Sequence, residues 1–178
     1  MKNILIISGS SHRNSINLAP ATHAGKQLDG ANLEILDLND FEMPIYSQDR
    51  EEASGIPEEA SSFLKKIQAS DGVIISLAEH NGSYAAAFKN VLDWTSRVEQ
   101  KLWSSKPMLL MATSPGGRGG ATVLGAAEAT FPHLGAEIAA TFSLPSYYDT
   151  FDAESGITTD EHRASFETAL EAFNNSLS

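Results

Sequence analysis

Three short stretches of this chain carry residue types that hold anions or flat rings. The first is Gly9-Ser10-Ser11-His12-Arg13-Asn14-Ser15-Ile16-Asn17. The hydroxyls of Ser10 and Ser15, the amide of Asn17, free backbone N–H groups around Ile16 and a cation at His12 or Arg13 are what a phosphate requires. The stretch has neither the Gly-Lys-Ser/Thr ending of a Walker loop nor a G-x-G-x-x-G fingerprint. The same Ser and Asn residues would also serve as plain helix caps. The second stretch is Ala78-Glu79-His80-Asn81-Gly82-Ser83-Tyr84. Its Asn-Gly turn either offers backbone donors and acceptors to the edge of a planar heterocycle or is simply a turn. Glu79 beside His80 has the composition of an acid/base pair, although a surface histidine next to a carboxylate is more often inert. The third is Thr113-Ser114-Pro115-Gly116-Gly117-Arg118-Gly119-Gly120, with four glycines in five positions. Backbone without side chains can approach a flat ring closely, and the rigid Pro115 favours a shaped turn over a flexible connection.

Composition narrows the chemistry further. The absence of cysteine excludes disulfides, Cys-ligated zinc, iron–sulfur clusters and thiol nucleophiles. Twelve Lys and Arg against 23 Asp and Glu leave a formal net charge of −11, and the pI is near 4.7. Such a chain repels phosphate backbones and anionic lipid, so neither nucleic acid nor membrane is an expected partner. Any anionic ligand must be held by a local arrangement working against the global field. A hydrolase finds no G-x-S-x-G elbow. The apolar run Ile4-Leu5-Ile6-Ile7 is far shorter than the roughly 7–15 residues of a signal-peptide core or the ~20 of a spanning helix. It reads as a buried strand at the start of a cytoplasmic protein. With 178 residues, 42% of them hydrophobic, the chain is expected to form one domain over 1–178.

The elements that must position these stretches alternate along the chain. Apolar runs near Asn3–Ile7, Leu33–Leu36, Val73–Leu77, Met108–Ala112 and Ile138–Phe142 predict strands, the first and third apolar enough for burial on both faces. Between them, a helix around Leu18–Leu28 follows Asn17 as N-cap. Ala60, Phe63, Leu64 and Ile67 repeat at helical spacing, with Pro57 well placed in the first turn. Phe88, Val91, Leu92 and Thr95 do the same, with Trp94 read as packing. Gly120–Leu134 forms a helix that Pro132 should end or kink. Thr158 with Glu161 predicts a capping box for a final helix through Leu177. Residues 38–56 read as one long polar loop, mobile or a lid. Five β-α units imply an α/β fold, a doubly wound five-stranded parallel sheet of flavodoxin-like order 2-1-3-4-5 with helices on both faces. In such a sheet the loops leaving strands 1, 3 and 4 meet at one rim, where ligands bind.

In that context the three loops resemble those of the NAD(P)H-dependent FMN reductase family, which includes quinone and chromate reductases of flavodoxin-like fold. The family patterns are roughly G-S-x-R-x-x-S-x-N, then P-E-Y-N-x-S with a following L-K-N-x-x-D-W, then a Ser/Gly-rich turn ending in Gly-Gly. Gly9, Ser10, Ser15 and Asn17 match the first; Glu79, Asn81, Ser83, Lys89, Asn90, Asp93 and Trp94 the second; Ser114, Gly116, Gly119 and Gly120 the third. The resemblance covers about residues 2–142. Departures are His12 where the family has Arg, His80 where it has Tyr, and Ala78 and Ala85 in place of flanking prolines.

The resemblance implies non-covalent FMN and ping-pong turnover, with NADPH or NADH as co-substrate and a small-molecule acceptor such as a quinone or free flavin. It assigns Ser10, Ser15, Ile16 and Asn17, with His12 or Arg13, to the phosphate. Residues Glu79, His80, Asn81, Gly82 and Ser83, with Ser114, Pro115, Gly116 and Gly117, would hold the isoalloxazine, and Arg118 the nicotinamide nucleotide's phosphates. No metal and no catalytic side chain is required, since the chemistry would be the cofactor's. It further implies a homodimer or homotetramer, with Asp93, Trp94 and Arg97 on a suitable helix face. A flavodoxin-type electron carrier without NAD(P)H turnover is the alternative.

Overall fold

The computed structural model describes residues 1–177. Its centre is a parallel sheet of β1 (Asn3–Ser8), β2 (Asn32–Leu36), β3 (Gly72–Leu77), β6 (Pro107–Thr113) and β7 (Glu137–Leu144), in the order β2-β1-β3-β6-β7. Counting these five strands alone, the order is 2-1-3-4-5, as expected. Between β3 and β6 lies a small antiparallel hairpin of β4 (Glu79–His80) and β5 (Ser83–Tyr84). In-register pairs such as Ile6↔Ile74 and Ile75↔Leu110 place apolar side chains on both faces of the central strands, which forces helices onto both sides.

Those helices are α1 (Leu18–Lys26), α2 (Gln48–Ser54), α3 (Glu58–Ala69), α4 (Ala86–Val98), α5 (Ala121–Thr130), α6 (Tyr147–Thr150) and α7 (Asp160–Ser176). On one face α3, α4 and α5 bury Phe63, Phe88, Trp94 and Val123 against Leu5, Ile75 and Leu110. On the other, α1 and α7 bury Ala21, Ala24, Phe166 and Phe173 against Ile6, Ile74 and Leu109. Pro132 acts as anticipated: α5 stops at Thr130 and a 3-10 turn over Phe131–Leu134 follows.

Four expectations need correction. Residues 38–56 are not one loose loop. They hold a 3-10 turn, Leu38–Phe41, and the short helix α2, capped by Ser47 accepting the Arg50 N–H at 3.3 Å. Helix α2 buries no residue, so it left no apolar stripe to read. Pro57 is the N-cap of α3 and not a first-turn residue. The capping box at Thr158 does not form either: the N-cap of α7 is Thr159, with no side-chain capping bond. Thr158 instead donates its N–H to the Thr150 carbonyl at 2.9 Å. Lastly, Trp94 cannot serve a subunit contact. It is buried, donating its Nε1–H to the Pro44 carbonyl at 2.7 Å, and Arg97 pairs with Glu51 of α2 at 3.0 Å.

Asn90, another residue of that stretch, donates from its amide to the carbonyls of Met43 and Pro44 and accepts the Tyr46 N–H. The Lys-Asn-x-x-Asp-Trp motif therefore straps the 43–46 segment onto α4.

Candidate functional site

Parallel strands bring the loops after β1, β3 and β6 to one rim, and β7 delivers a fourth segment there. Together they enclose a cleft of about 260 Å³. From the first loop Ser10, His12, Asn14, Ser15, Ile16 and Asn17 line it. Ser10 Oγ accepts the His12 N–H at 3.1 Å, and Ser15 Oγ accepts the Asn17 N–H at 3.2 Å. Each hydroxyl thus keeps its own hydrogen to donate. The backbone N–H groups of Ser10, Asn14 and Ile16 bond to no other described residue. They sit just ahead of α1, where the helix dipole is positive.

Two residues of this loop behave differently from their neighbours. Arg13 forms an ion pair with Asp37, Nε to Oδ2 3.4 Å, and does not line the cleft; it opens onto a wider hollow of about 520 Å³ beside α1. The Asn39 backbone and side-chain N–H groups, with Arg13 nearby, hold the Asp37 carboxyl below the usual carboxylate range. His12 is therefore the cationic candidate that faces the cleft. Asn17 occupies the N-cap position, yet its side chain makes no capping bond. Its Oδ1 accepts from Ser76 Oγ at 2.7 Å and from the Thr113 N–H at 3.0 Å, while Nδ2 donates to the Thr113 carbonyl at 3.3 Å. Buried Asn17 stitches the ends of β3 and β6 together behind the loop.

The second loop is the β4–β5 hairpin. Asn81 and Gly82 both have positive φ, 52° and 74°, the requirement of a two-residue type I′ turn. Of this loop Ala78, Glu79 and His80 line the cleft, whereas Asn81, Gly82 and Ser83 form the tip beyond it. Glu79 is not paired with His80. Its Oε2 accepts the Val123 N–H at 2.9 Å, capping α5, whose own N-cap is Gly120 and has no side chain to offer.

In the third loop, Thr113, Ser114 and Pro115 line the cleft. The four glycines separate into two kinds. A Cβ on Gly116 or Gly117 would meet nothing within 4 Å. Gly119 and Gly120 have φ of 56° and 73°, and a Cβ there would collide with Ser143 and the Leu144–Pro145 backbone, or with Ala112. The first pair, expected to hold the ring, does not line the cleft and leaves open space just past Pro115; the second pair lets the chain pass close against β6 and β7. Arg118 is exposed and donates to Thr122 Oγ1 at 3.1 Å.

Sequence reasoning missed Asn14, Ala78, Thr113 and Tyr148 among the cleft residues. The first three adjoin the motifs, and Tyr148 comes from the fourth segment, just past β7. Two adjacent tyrosines, Tyr147 and Tyr148, at the carboxyl end of the fifth strand were the available signal.

The donor set suits a phosphate with a flat ring attached. Free hydroxyl and backbone donors of the first loop face a cleft shared with Ala78–His80 and Thr113–Pro115. The buried Ser8 Oγ, at the base of the first loop, has no partner. Among the described residues no group of three or more His, Asp or Glu could hold a metal, and no helix is long and apolar enough to cross a membrane.

Residues 2–149 match the NADPH-dependent FMN reductase family. The chain belongs to that family. It is 29% identical over 172 residues to an NAD(P)H-dependent FMN reductase of Pseudomonas aeruginosa, covering 95% of this chain and 91% of that one. A quinone reductase of Escherichia coli is 30% identical over 119 residues, 66% of this chain and 63% of the relative. The flavoenzyme NAD(P)H:acceptor oxidoreductase FerB of Paracoccus denitrificans superposes with a TM-score of 0.77 at 25% identity, covering 99% of this chain and 97% of that one.

Proposed function

We propose that this FMN reductase binds FMN in the rim cleft, oxidises NADPH or NADH there and passes the electrons to a quinone, a free flavin or a similar small acceptor. The observation that supports the reading is the convergence of the unspent hydroxyl and N–H donors of the first loop with Ala78–His80 and Thr113–Pro115 on one cleft, next to which the Gly116–Gly117 backbone stands open. When bound, FMN supplies the redox chemistry, taking a hydride from NAD(P)H and releasing it to the acceptor. The chain's part is to bind and orient. Ser10, Ser15 and the N–H groups around Ile16 hold the phosphate beside His12; Asn17 keeps that loop in place. Ala78–His80 and Ser114–Gly117 flank the ring, and Asn81–Ser83 shape the hairpin behind it. Reductant and acceptor would use the same open side of the bound flavin, so they enter in turn, a ping-pong order. The whole chain acts as one FMN-binding domain, soluble in the cytoplasm, without nucleic-acid or membrane partners, and as a homo-oligomer.

Anaerobic stopped-flow on the FMN-loaded protein tests this. NAD(P)H should bleach the flavin, an added quinone should restore its colour, and double-reciprocal plots should be parallel. A flavin that neither NADPH nor NADH bleaches would instead indicate an electron carrier, to which the net charge of −11 is also suited.

The phosphate partner is tested separately. Because Arg13 is engaged with Asp37, His12→Ala is expected to weaken FMN about tenfold at pH 6, or ~1.4 kcal/mol, and Arg13→Ala to change it little. His12→Arg should strengthen FMN binding, because the guanidinium can make two hydrogen bonds to a phosphate. Titration of apoprotein with FMN reads both; a larger loss in Arg13→Ala than in His12→Ala would reverse the assignment.

A further inference from the structure

Tyr148 is a large aromatic side chain left 72% exposed, and it lines the cleft together with the hairpin residue His80. Its placement is fixed from below. After β7 ends at Leu144, Ser146 adopts a left-handed φ of 50°, a conformation a non-glycine residue holds only when its surroundings enforce it. Two consecutive backbone bonds do so: Ser146 N–H donates to the Gly116 carbonyl at 2.9 Å, and Tyr147 N–H to the Ser114 carbonyl at 3.0 Å. The one-turn helix α6 is thereby latched onto the glycine turn. Thr150 Oγ1 closes it by donating to the Pro145 carbonyl at 2.7 Å. The Tyr147 ring, stacked on Phe151 at 5.3 Å and 20°, meets Tyr148 edge-on at 5.3 Å and 82°. The result is a supported aromatic surface standing in solvent at the mouth of the cleft.

Exposure of so large a ring is unfavourable in the free protein and becomes favourable when a flat apolar partner covers it. We propose that Tyr148 is the specificity-determining residue for the electron acceptor, forming the aromatic wall against which a planar quinone stacks; this rests on the flavin reading above. The reaction it serves is NAD(P)H + H⁺ + quinone → NAD(P)⁺ + hydroquinone. The nicotinamide C4–H bond breaks, two electrons reach the quinone, and both its oxygens become hydroxyls, one proton coming from the hydride and one from solvent. A compact inorganic ion such as ferricyanide, which takes single electrons and has no flat face, gains nothing from that wall.

The test compares Tyr148→Ala, Tyr148→Phe and Tyr148→Trp as FMN-loaded proteins. With menadione as acceptor, Tyr148→Ala should raise KM about tenfold with a small change in kcat, while KM for ferricyanide moves less than twofold. The Phe and Trp variants should restore the quinone KM. Binding of menadione to the oxidised, FMN-loaded protein without NAD(P)H, followed by flavin fluorescence, should weaken by a similar factor in Tyr148→Ala. That readout needs no turnover, so it judges the wall even if NAD(P)H proves not to be the reductant. Equal KM changes for the two acceptors, an unchanged menadione affinity, or loss of FMN itself from Tyr148→Ala would each overturn the proposal.

Discussion

Gly116→Val is expected to purify folded and without flavin, whereas Gly119→Val is expected not to fold. The two glycines stand three residues apart in one turn, and the difference lies in what surrounds each. At Gly119 a side chain is forced into a left-handed conformation that costs a non-glycine residue about 1–2 kcal/mol. Its Cβ also meets the Leu144 and Pro145 backbone, at 2.9 Å and 2.8 Å, where nothing flexible can yield. Overpacking of that kind adds roughly 1–3 kcal/mol. A second branch at Val enlarges both terms, and the sum is a large part of the ~5–15 kcal/mol that a domain has in total. At Gly116 no atom lies within 4 Å of the added Cβ and φ is not left-handed, so the apoprotein should melt within a few degrees of wild type. On the reading proposed above, the ring lies over that open backbone. Thermal melts with FMN titration of the apoprotein settle the pair; full FMN affinity in Gly116→Val would remove the glycine turn from the site.

The second large effect is expected at Asn17. Truncation to Ala leaves the Ser76 hydroxyl and the Thr113 N–H without the acceptor they share, both in buried surroundings. An orphaned buried group costs about 1–3 kcal/mol, so Asn17→Ala should lose roughly 3–4 kcal/mol, or about 10 °C in Tm at this chain length. Ser15→Ala provides the contrast. Its hydroxyl accepts one buried N–H, that of Asn17, so stability should fall by only about 1 kcal/mol while FMN affinity falls about tenfold or more. If Asn17→Ala melts within about 2 °C of wild type, the amide is not the stitch between strands that its hydrogen bonds describe.

That contrast marks where sequence reasoning stops. The five strands, the helices that bury a stripe and the rim that gathers the loops were legible, because apolar periodicity reports burial directly. The fourfold glycine run was legible as a shaped turn, but not the division between Gly116–Gly117 and Gly119–Gly120, since only three-dimensional neighbours distinguish open space from a close backbone crossing. Asn17 could be recognised as polar and near a phosphate loop; that its amide reaches Thr113, 96 residues away, has no local signature. Helix α2 was missed because it packs nothing inward. Glu79 was read for its neighbour in sequence, His80, when its partner is the Val123 amide, 44 residues distant. Thr158 and Glu161 have capping-box spacing, but the Thr150 carbonyl takes the Thr158 N–H and the helix starts one residue later.

The bond from Glu79 to Val123 has a dynamic consequence. The carboxylate belongs to the hairpin on one side of the cleft, and the amide to the helix that leaves the glycine turn on the other. Lifting the hairpin would cost the first turn of α5 this side-chain cap, so opening on one bank is coupled to fraying on the other. The Val123 amide proton is held by that bond, so its exchange is expected to follow the opening of the hairpin. A ligand that closes the cleft would slow its exchange without touching it, giving the site a reporter that lies outside its own lining.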